Sequence, residues 1–198
     1  MIRIATEADV PEILKIYAPY VETTTITFEY TVPSLEDFTE RFRRVTALFP
    51  WLVYEEAGEI LGYAYASLPF ERAAYAWCAE PSIYLRQDAK GKHIGKKLYA
   101  VLEELLRQMG YIVSFAIITG ENGRSLTFHR AHGYKDCGLF HRCGLKFGRW
   151  LDVYWLEKRL SSVEIPSNTP VAWLDFSKDS QKIANILGKM SLSESEKI

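Results

Sequence analysis

The chain has 198 residues, 48% of them hydrophobic and 14% aromatic, which suits one domain with a full core and room for a small appendage. Its 24 Lys and Arg residues nearly cancel its 25 Asp and Glu residues, and this balance argues against a general nucleic-acid-binding protein. No apolar run reaches the roughly 18 residues of a membrane span, and the amino terminus lacks the apolar segment of a signal peptide.

The cysteine spacing argues against a metal site. The three cysteines are Cys78, Cys137 and Cys143, and none of them forms a CxxC pair. This spacing indicates neither a disulfide framework nor a zinc site. It favours free thiols, buried or half-buried, in a reducing cytoplasmic setting.

The amino-terminal part predicts a strand, two helices and a hairpin. A strand at residues 2–4 is followed by Thr6 and Asp9, which resemble a capping box and begin a helix. Ser34, with Asp37 three residues later, begins the second helix. The β-branched TTTITFEY stretch between the helices indicates extended or looped chain. Strands at 51–54 and 60–68 are joined by a tight turn.

The most informative stretch is EPSIYLRQDAKGKHIGKK, residues 80–97. A strand predicted over 74–85 runs into a turn rich in Lys and Gly, and a helix with an apolar stripe follows. The stripe consists of Leu98, Val101, Leu102, Leu105, Leu106 and Met109. Backbone N–H groups in such a turn, the positive end of the helix dipole and Lys90, Lys92, Lys96 and Lys97 together predict a pyrophosphate site. A solvated helix start is the alternative interpretation of the lysines.

The remaining elements complete an α+β pattern. Gly110 ends the helix, and four elements follow: a strand at 112–118 predicted to be buried on both faces, a helix at 122–131, and strands at 134–146 and 149–157. Hairpins mixed with helical crossovers predict an α+β fold rather than a doubly wound sheet.

The composition changes after residue 160. The segment SSVEIPSNTP is polar and contains proline, which is typical of a linker. Beyond it, a short amphipathic helix at most is predicted from Ile183, Ile186, Leu187 and Met190. The chain therefore divides into a domain at 1–160 and a carboxy-terminal extension at 161–198.

Five segments resemble the GNAT superfamily of acetyl-CoA-dependent N-acetyltransferases, and within it the phosphinothricin and methionine sulfoximine N-acetyltransferase branch. They are ITFEY at 26–30, RAAY at 72–75, AEPSIYL at 79–85, NGRSLTFHRAHGY at 122–134 and FGRWLDV at 147–153. The resemblance covers residues 1–160 and leaves the extension outside. One departure is His93, which stands where the superfamily turn has its first glycine; histidine adopts a positive φ less readily than glycine.

The resemblance implies a mixed central sheet flanked by helices, with acetyl-CoA as co-substrate. Glu80 would be the general base that takes a proton from the acceptor amine. His129, at a position where many superfamily members carry a tyrosine, would assist proton transfer to the departing thiolate. A surface carboxylate and a satisfied helix histidine are the alternative interpretations.

The resemblance also assigns the cofactor-binding residues. The backbone amides of Ile83 and Leu85 would hold the pantetheine arm and polarise the thioester oxygen. Asn122 and Ser125 would bond the same arm, unless they only cap their helix. The full set is Ile83, Tyr84, Leu85, Gly91, Lys92, His93, Ile94, Gly95, Lys96, Asn122 and Ser125.

The implied acceptor is the α-amine of a small, glutamate-like amino acid. Arg72 with Tyr75 would bind its acidic group, because a guanidinium bonds two oxygens at once. Phe28 and Glu29 would form the opposite wall. A peptide acceptor and a non-catalytic acyl-CoA-binding sensor stay open as alternatives. The resemblance further implies a homodimer and a detoxification role. The composition and the cysteine spacing predict a cytoplasmic location, no metal site, and no nucleic-acid or membrane partner.

Overall fold

A computed structural model describes residues 1–89 and 91–192, so Lys90 of the predicted turn lies outside the described residues. The strands are β1 (Ile2–Ile4), β2 (Trp51–Glu56), β3 (Glu59–Ser67), β4 (Cys78–Leu85), β5 (Val113–Thr119), β6 (Lys135–Lys146) and β7 (Arg149–Arg159). The helices are α1 (Val10–Thr23), α2 (Leu35–Leu48), α3 (Ile94–Met109), α4 (Gly123–Ala131), α5 (Trp173–Phe176) and α6 (Ser180–Leu192). The predicted α+β class is confirmed.

The seven strands form one mixed sheet in the order β1-β2-β3-β4-β5-β7-β6. Every neighbouring pair is antiparallel except β4 and β5, which are parallel. The β4–β5 ladder contains only the pairs Cys78 with Val113 and Ala79 with Ser114. Beyond Ala79 the two strands separate, and a cleft opens in the middle of the sheet.

Helices cover the two faces of the sheet differently. On one face, Leu98 and Leu102 of α3 pack against Ala79 of β4 and Leu52 of β2. Helix α4 contributes Leu126 to a smaller cluster with β5 and β7. On the other face, α1 and α2 bury an aromatic cluster against β2 and β3, with members Tyr17, Tyr20, Phe38, Phe42, Trp51 and Tyr63. Over β1–β4 the second face is covered by helices, whereas over β5–β7 no helix of the described residues covers it.

The carboxy-terminal extension packs against α3. The Val171 N–H donates to the Met109 carbonyl at 2.8 Å, where α3 ends. Side chains from α5 and α6 are buried in the same cluster as α3; these are Trp173, Phe176, Ile183 and Ile186. The side chain of Met190 lies outside the described residues. The division of the chain at residue 160 stays a prediction.

Three local predictions need correction. Strand β4 begins at Cys78, not residue 74, because Ala73–Tyr75 forms a 3₁₀ turn closed by the Ala76 N–H. Residues 113–118 of β5 alternate between half-buried and buried side chains, because one face of the strand has no described helix over it; Thr119 at its end is buried. Cys137 and Cys143 are exposed, since both lie on β6, the last strand of the sheet; Cys78 is half-buried.

No helix in the described part of the chain is both long and apolar enough to cross a membrane.

Candidate active site

The cleft between β4 and β5 has a volume of about 70 Å³ and passes through the sheet. Its lining residues are Ile26, Glu80, Pro81, Ser82, Ile83, Tyr84, Tyr99, Ala116, Ile117, Ile118, Thr119, Asn122, Ser125 and His129. Side chains alternate along a strand, and Ala79 and Ile83 pack toward α3. Glu80 and Ser82 therefore project from the opposite face.

The cleft has a helix side and a Glu80 side. The helix side contains Tyr99 of α3 and Asn122, Ser125 and His129 at α4. The Glu80 side contains Glu80, Ser82, Tyr84, Ile117, Thr119 and Ile26. Two predicted catalytic residues, Glu80 and His129, thus line one cleft from opposite sides of the sheet.

Glu80 is a half-buried carboxyl group that lines the cleft. Burial raises its pKa to about 7, because desolvation penalises the charged form. No described residue forms a hydrogen bond with its side chain that would offset this cost. A carboxylate with this pKa can take and release protons near neutrality.

His129 is buried, and both its ring nitrogens have partners inside the protein. Its Nδ1 lies 2.8 Å from the Ser125 carbonyl oxygen, which only accepts hydrogen bonds, so Nδ1 carries the proton. Its Nε2 therefore accepts a hydrogen bond from the Tyr99 hydroxyl at 2.7 Å. Burial lowers the pKa of His129 to about 4, although the hydrogen bond to the Ser125 carbonyl acts in the opposite direction and raises it. The imidazole is neutral at pH 7.

Tyr99 connects His129 to the cleft. Besides its contact with His129, its hydroxyl lies 3.3 Å from the Pro81 carbonyl oxygen on β4. Burial raises the pKa of Tyr99 well above 10, and the negative charges of Glu103 and Glu80 add to the shift. The phenol therefore remains protonated and acts as a hydrogen-bond donor.

The β4 backbone presents amide groups to the cleft. The Arg86 N–H bonds to the Leu61 carbonyl of β3, so by the alternation of an antiparallel ladder the N–H groups of Leu85 and Ile83 point away from β3. The Leu85 N–H is already bonded to the Tyr20 hydroxyl at 3.3 Å, and this hydroxyl donates to the Leu85 carbonyl at 2.5 Å. Any ligand bond to the Leu85 amide must replace the bond to Tyr20.

The turn before α3 adopts the backbone geometry that binds anions. Gly91 has φ 88° and His93 has φ 59°, so both lie in the left-handed region. His93 thus adopts the conformation for which glycine is usually needed. The first N–H groups of α3, including those of Ile94 and Gly95, have no partner one turn earlier in the helix.

The loop at residues 24–33 borders the Glu80 side and is held by distant residues. The buried Lys146 ammonium on β6 donates to the carbonyls of Val21 and Thr27, both at 2.8 Å. Glu121, next to the cleft, accepts a bond from Thr25 at 2.9 Å. A Cβ on Gly144 would lie 2.2 Å from the Phe28 ring, so this ring packs directly on the β6 backbone.

None of the four predicted acceptor-binding residues lines the cleft. Phe28 packs on Gly144, and Glu29 pairs with Arg41 of α2 at 2.6 Å. The Tyr75 ring packs on the Phe70 ring, with 4.4 Å between their centroids. Arg72 is exposed at the start of the same 3₁₀ turn. Phe70 in turn stacks on Trp155 of β7, which places this segment over the part of the sheet face that no described helix covers.

Comparison with known proteins identifies the fold. The model of the acetyltransferase (GNAT) domain matches residues 2–155. The chain belongs to the GNAT acetyltransferase family. It is 34% identical to phosphinothricin N-acetyltransferase of Alcaligenes faecalis over 81% of this chain and 83% of that protein. It is 38% identical to the L-methionine sulfoximine/L-methionine sulfone acetyltransferase of Pseudomonas paraeruginosa over 80% of this chain and 94% of that protein.

A solved structure agrees with this assignment. The chain matches a GNAT superfamily phosphinothricin acetyltransferase from Sinorhizobium meliloti, in complex with AcCoA, with TM-score 0.82 and 36% identity. The match covers 88% of this chain and 96% of that one. The chain is an acetyltransferase with acetyl-CoA as its co-substrate.

The residues present fit acetyl-CoA. The left-handed turn at Gly91 and His93 and the first amides of α3 offer several N–H donors to a pyrophosphate, and Lys92 and Lys96 add positive charge. The Asn122 side chain caps α4 by accepting a hydrogen bond from the Ser125 N–H at 3.2 Å. Both residues also line the cleft, so they cap the helix and lie within reach of the cofactor arm.

Sequence reasoning missed several residues of the site. Tyr99 is a buried residue of α3 beside the apolar stripe, and only its contact with His129, 30 residues away in the chain, gives it a polar role. Thr119 ends a buried strand and has no motif around it. Lys146 bonds to Thr27, which lies 119 residues away in the chain, and Glu121 bonds to Thr25, which lies 96 residues away. Among the described residues, no cluster of His, Cys, Asp or Glu could hold a metal ion.

Proposed function

We propose that this acetyltransferase transfers the acetyl group of acetyl-CoA to the α-amine of a small amino acid of the phosphinothricin or methionine sulfoximine type. The observation that carries the proposal is Glu80, a half-buried carboxyl with a pKa of about 7 in the cleft between the separated strands β4 and β5. The relatives from Alcaligenes and Pseudomonas, whose names describe this chemistry, support the acceptor class.

Glu80 is the better of the two candidate bases. At pH 7 about half of its carboxyl groups are ionised, whereas His129, with a pKa near 4, is a much weaker base. Glu80 takes a proton from the acceptor ammonium, so that the neutral amine attacks the thioester carbon. The backbone N–H of Ile83 polarises the thioester oxygen.

The proton balance gives His129 an indirect role. As the C–N bond forms and the C–S bond breaks, the ammonium loses two protons: one goes to the thiolate and one to solution. A thiol has a pKa of about 8.5, so protonated Glu80 can give its proton to the thiolate. The Tyr99 phenol is too weak an acid to do so. The single hydrogen of the Tyr99 hydroxyl is donated to His129 Nε2 in the structure, so His129 sets the resting position of this hydroxyl. Tyr99 gives up that bond when it turns to donate to the departing sulfur.

The acceptor lies on the Glu80 side. Arg72 and Tyr75 bind its carboxylate, and Phe28 and Glu29 of the 24–33 loop form the opposite wall. The helix side then holds the pantetheine arm. These assignments are supported by the position of the 24–33 loop beside the cleft and by the uncovered face next to Arg72.

We further propose a cytoplasmic homodimer with a detoxifying role. Support for pairing comes from the β6–β7 hairpin, at the edge of the sheet, whose exposed large apolar side chains are Leu139, Phe140, Leu145, Phe147 and Trp150. Light scattering of the purified chain gives its mass in solution, and a monomeric mass would contradict the pairing.

The decisive experiment measures thiol release from acetyl-CoA with phosphinothricin, methionine sulfoximine and methionine sulfone as acceptors. We expect turnover with at least one of them, a loss of about 100- to 10,000-fold in Glu80→Gln, and smaller losses in His129→Ala and Tyr99→Phe. Coenzyme A binding without turnover on any of the three would overturn the proposal. A peptide substrate or an acyl-CoA sensor would then be favoured.

A further inference from the structure

One buried hydroxyl at the end of β5 has no hydrogen-bond partner among the described residues. Thr119 is 5% exposed, and its Oγ1 is hidden from solvent. Buried hydroxyls are normally bonded, because an unbonded one loses its bonds to water without replacement. The other buried side-chain atoms without a partner belong to Glu29, Trp51, Glu103 and His132, none of which lines the cleft. Thr119 does line it.

The strand geometry places Thr119 on the Glu80 side. Ala116 and Ile118 of β5 pack into the cluster with Tyr99, so the alternating residues Ile117 and Thr119 project from the opposite face. The β4–β5 register ends at Ala79 with Ser114, so Phe115 lies opposite Glu80. Thr119 lies four residues further along β5, about 13 Å by the rise of a strand. The two side chains thus mark the two ends of the Glu80 side.

We infer that Thr119 is a specificity-determining residue, whose hydroxyl bonds the oxygen- or nitrogen-bearing end of the acceptor side chain while Glu80 faces the amine. This inference rests on the proposed function. A hydroxyl both donates and accepts, so it suits the oxygen of a sulfone or phosphinate and the N–H of a sulfoximine. An acceptor with a wholly apolar side chain would leave the hydroxyl unbonded, and the site therefore selects against it.

The test compares Thr119→Val, which replaces the hydroxyl by a methyl of similar size, with Thr119→Ser, which keeps the hydroxyl. Steady-state kinetics use methionine sulfone and phosphinothricin, and urea unfolding is measured on the same full-length proteins. For Thr119→Val we expect the acceptor KM to rise about tenfold with the acetyl-CoA KM unchanged. The urea midpoint should stay level or rise, because no bond within the protein is lost. Thr119→Ser should keep the acceptor KM within about threefold of wild type.

This combination separates recognition from structure. A residue with only a structural role would lower the urea midpoint of Thr119→Val and leave the KM ratio of acceptor to acetyl-CoA unchanged, and either result overturns the inference. If wild type turns over neither acceptor, the proposed function fails. The inference then falls with it, whereas turnover of both acceptors with an unchanged acceptor KM in Thr119→Val overturns the inference and leaves the proposed function standing.

Discussion

The two sides of the cleft are built by different means. The groups that we propose for acetyl-CoA, next to the helix side, are mostly backbone amides of β4 where it separates from β5 and of the left-handed turn before α3. On the Glu80 side, the groups are side chains from β4, β5 and the 24–33 loop, held by β6 and α2. Backbone geometry changes little with sequence, so the helix side suits a constant co-substrate and the Glu80 side a variable acceptor.

The largest effect should come from the charge on Glu80. Because the carboxylate form is the base and its pKa is about 7, we expect kcat/KM to fall about tenfold per pH unit below pH 7 and to level off above it. Glu80→Gln should remove this dependence along with most of the activity. A wild-type profile that stays flat down to pH 5 would mean that another group is the base.

The same group should also make the protein less stable as the pH rises. The pKa of Glu80 is raised from 4.5 in the unfolded chain to about 7 in the fold, so its stabilising contribution is present below pH 4.5 and is lost as the pH rises through 7. We expect Glu80→Gln to be more stable than wild type by up to about 3 kcal/mol at pH 8, and equal to it at pH 4. Urea unfolding at the two pH values measures the difference. An equal gain in stability at both pH values would mean that the gain comes from packing and not from the charge on Glu80.

The contrast between the two sides also explains what could be predicted from sequence. The helix side follows from local signals: an apolar stripe, the Lys- and Gly-rich turn, and the Asn122 cap lie close together in the chain. The order of elements sufficed for the α+β class. The Glu80 side depends on contacts such as Lys146 with Thr27, for which neither residue carries a local signal. Tyr99 was missed for a related reason, since nothing near it in the chain indicates its bond to His129, which lies 30 residues away.

Lys146 tests whether the Glu80 side can be disturbed alone. Lys146→Met keeps the length of the side chain but leaves the carbonyls of Val21 and Thr27 without this donor, so we expect a loss of about 1–3 kcal/mol in the free energy of unfolding. The acceptor KM should rise because Thr27 precedes Phe28, while the acetyl-CoA KM should not change. Lys135→Met, at an exposed position on the same strand, is the matched control. Equal rises in both KM values would show that the two sides are not independent.

The smallest expected effect concerns Phe28, and two glycines of β6 allow a matched test. A Cβ on Gly144 would lie 2.2 Å from the Phe28 ring, whereas a Cβ on Gly138 would meet the Trp155 Cβ at an ordinary 3.7 Å. Neither glycine has a positive φ, so alanine is compatible with the backbone at both. Gly144→Ala must displace the ring, and we expect a cost of about 1–3 kcal/mol with a severalfold rise in acceptor KM. Gly138→Ala should stay within about 0.5 kcal/mol of wild type with unchanged kinetics. If Gly144→Ala lost stability but kept its acceptor KM, Phe28 would be a packing residue of the loop rather than a wall of the acceptor site.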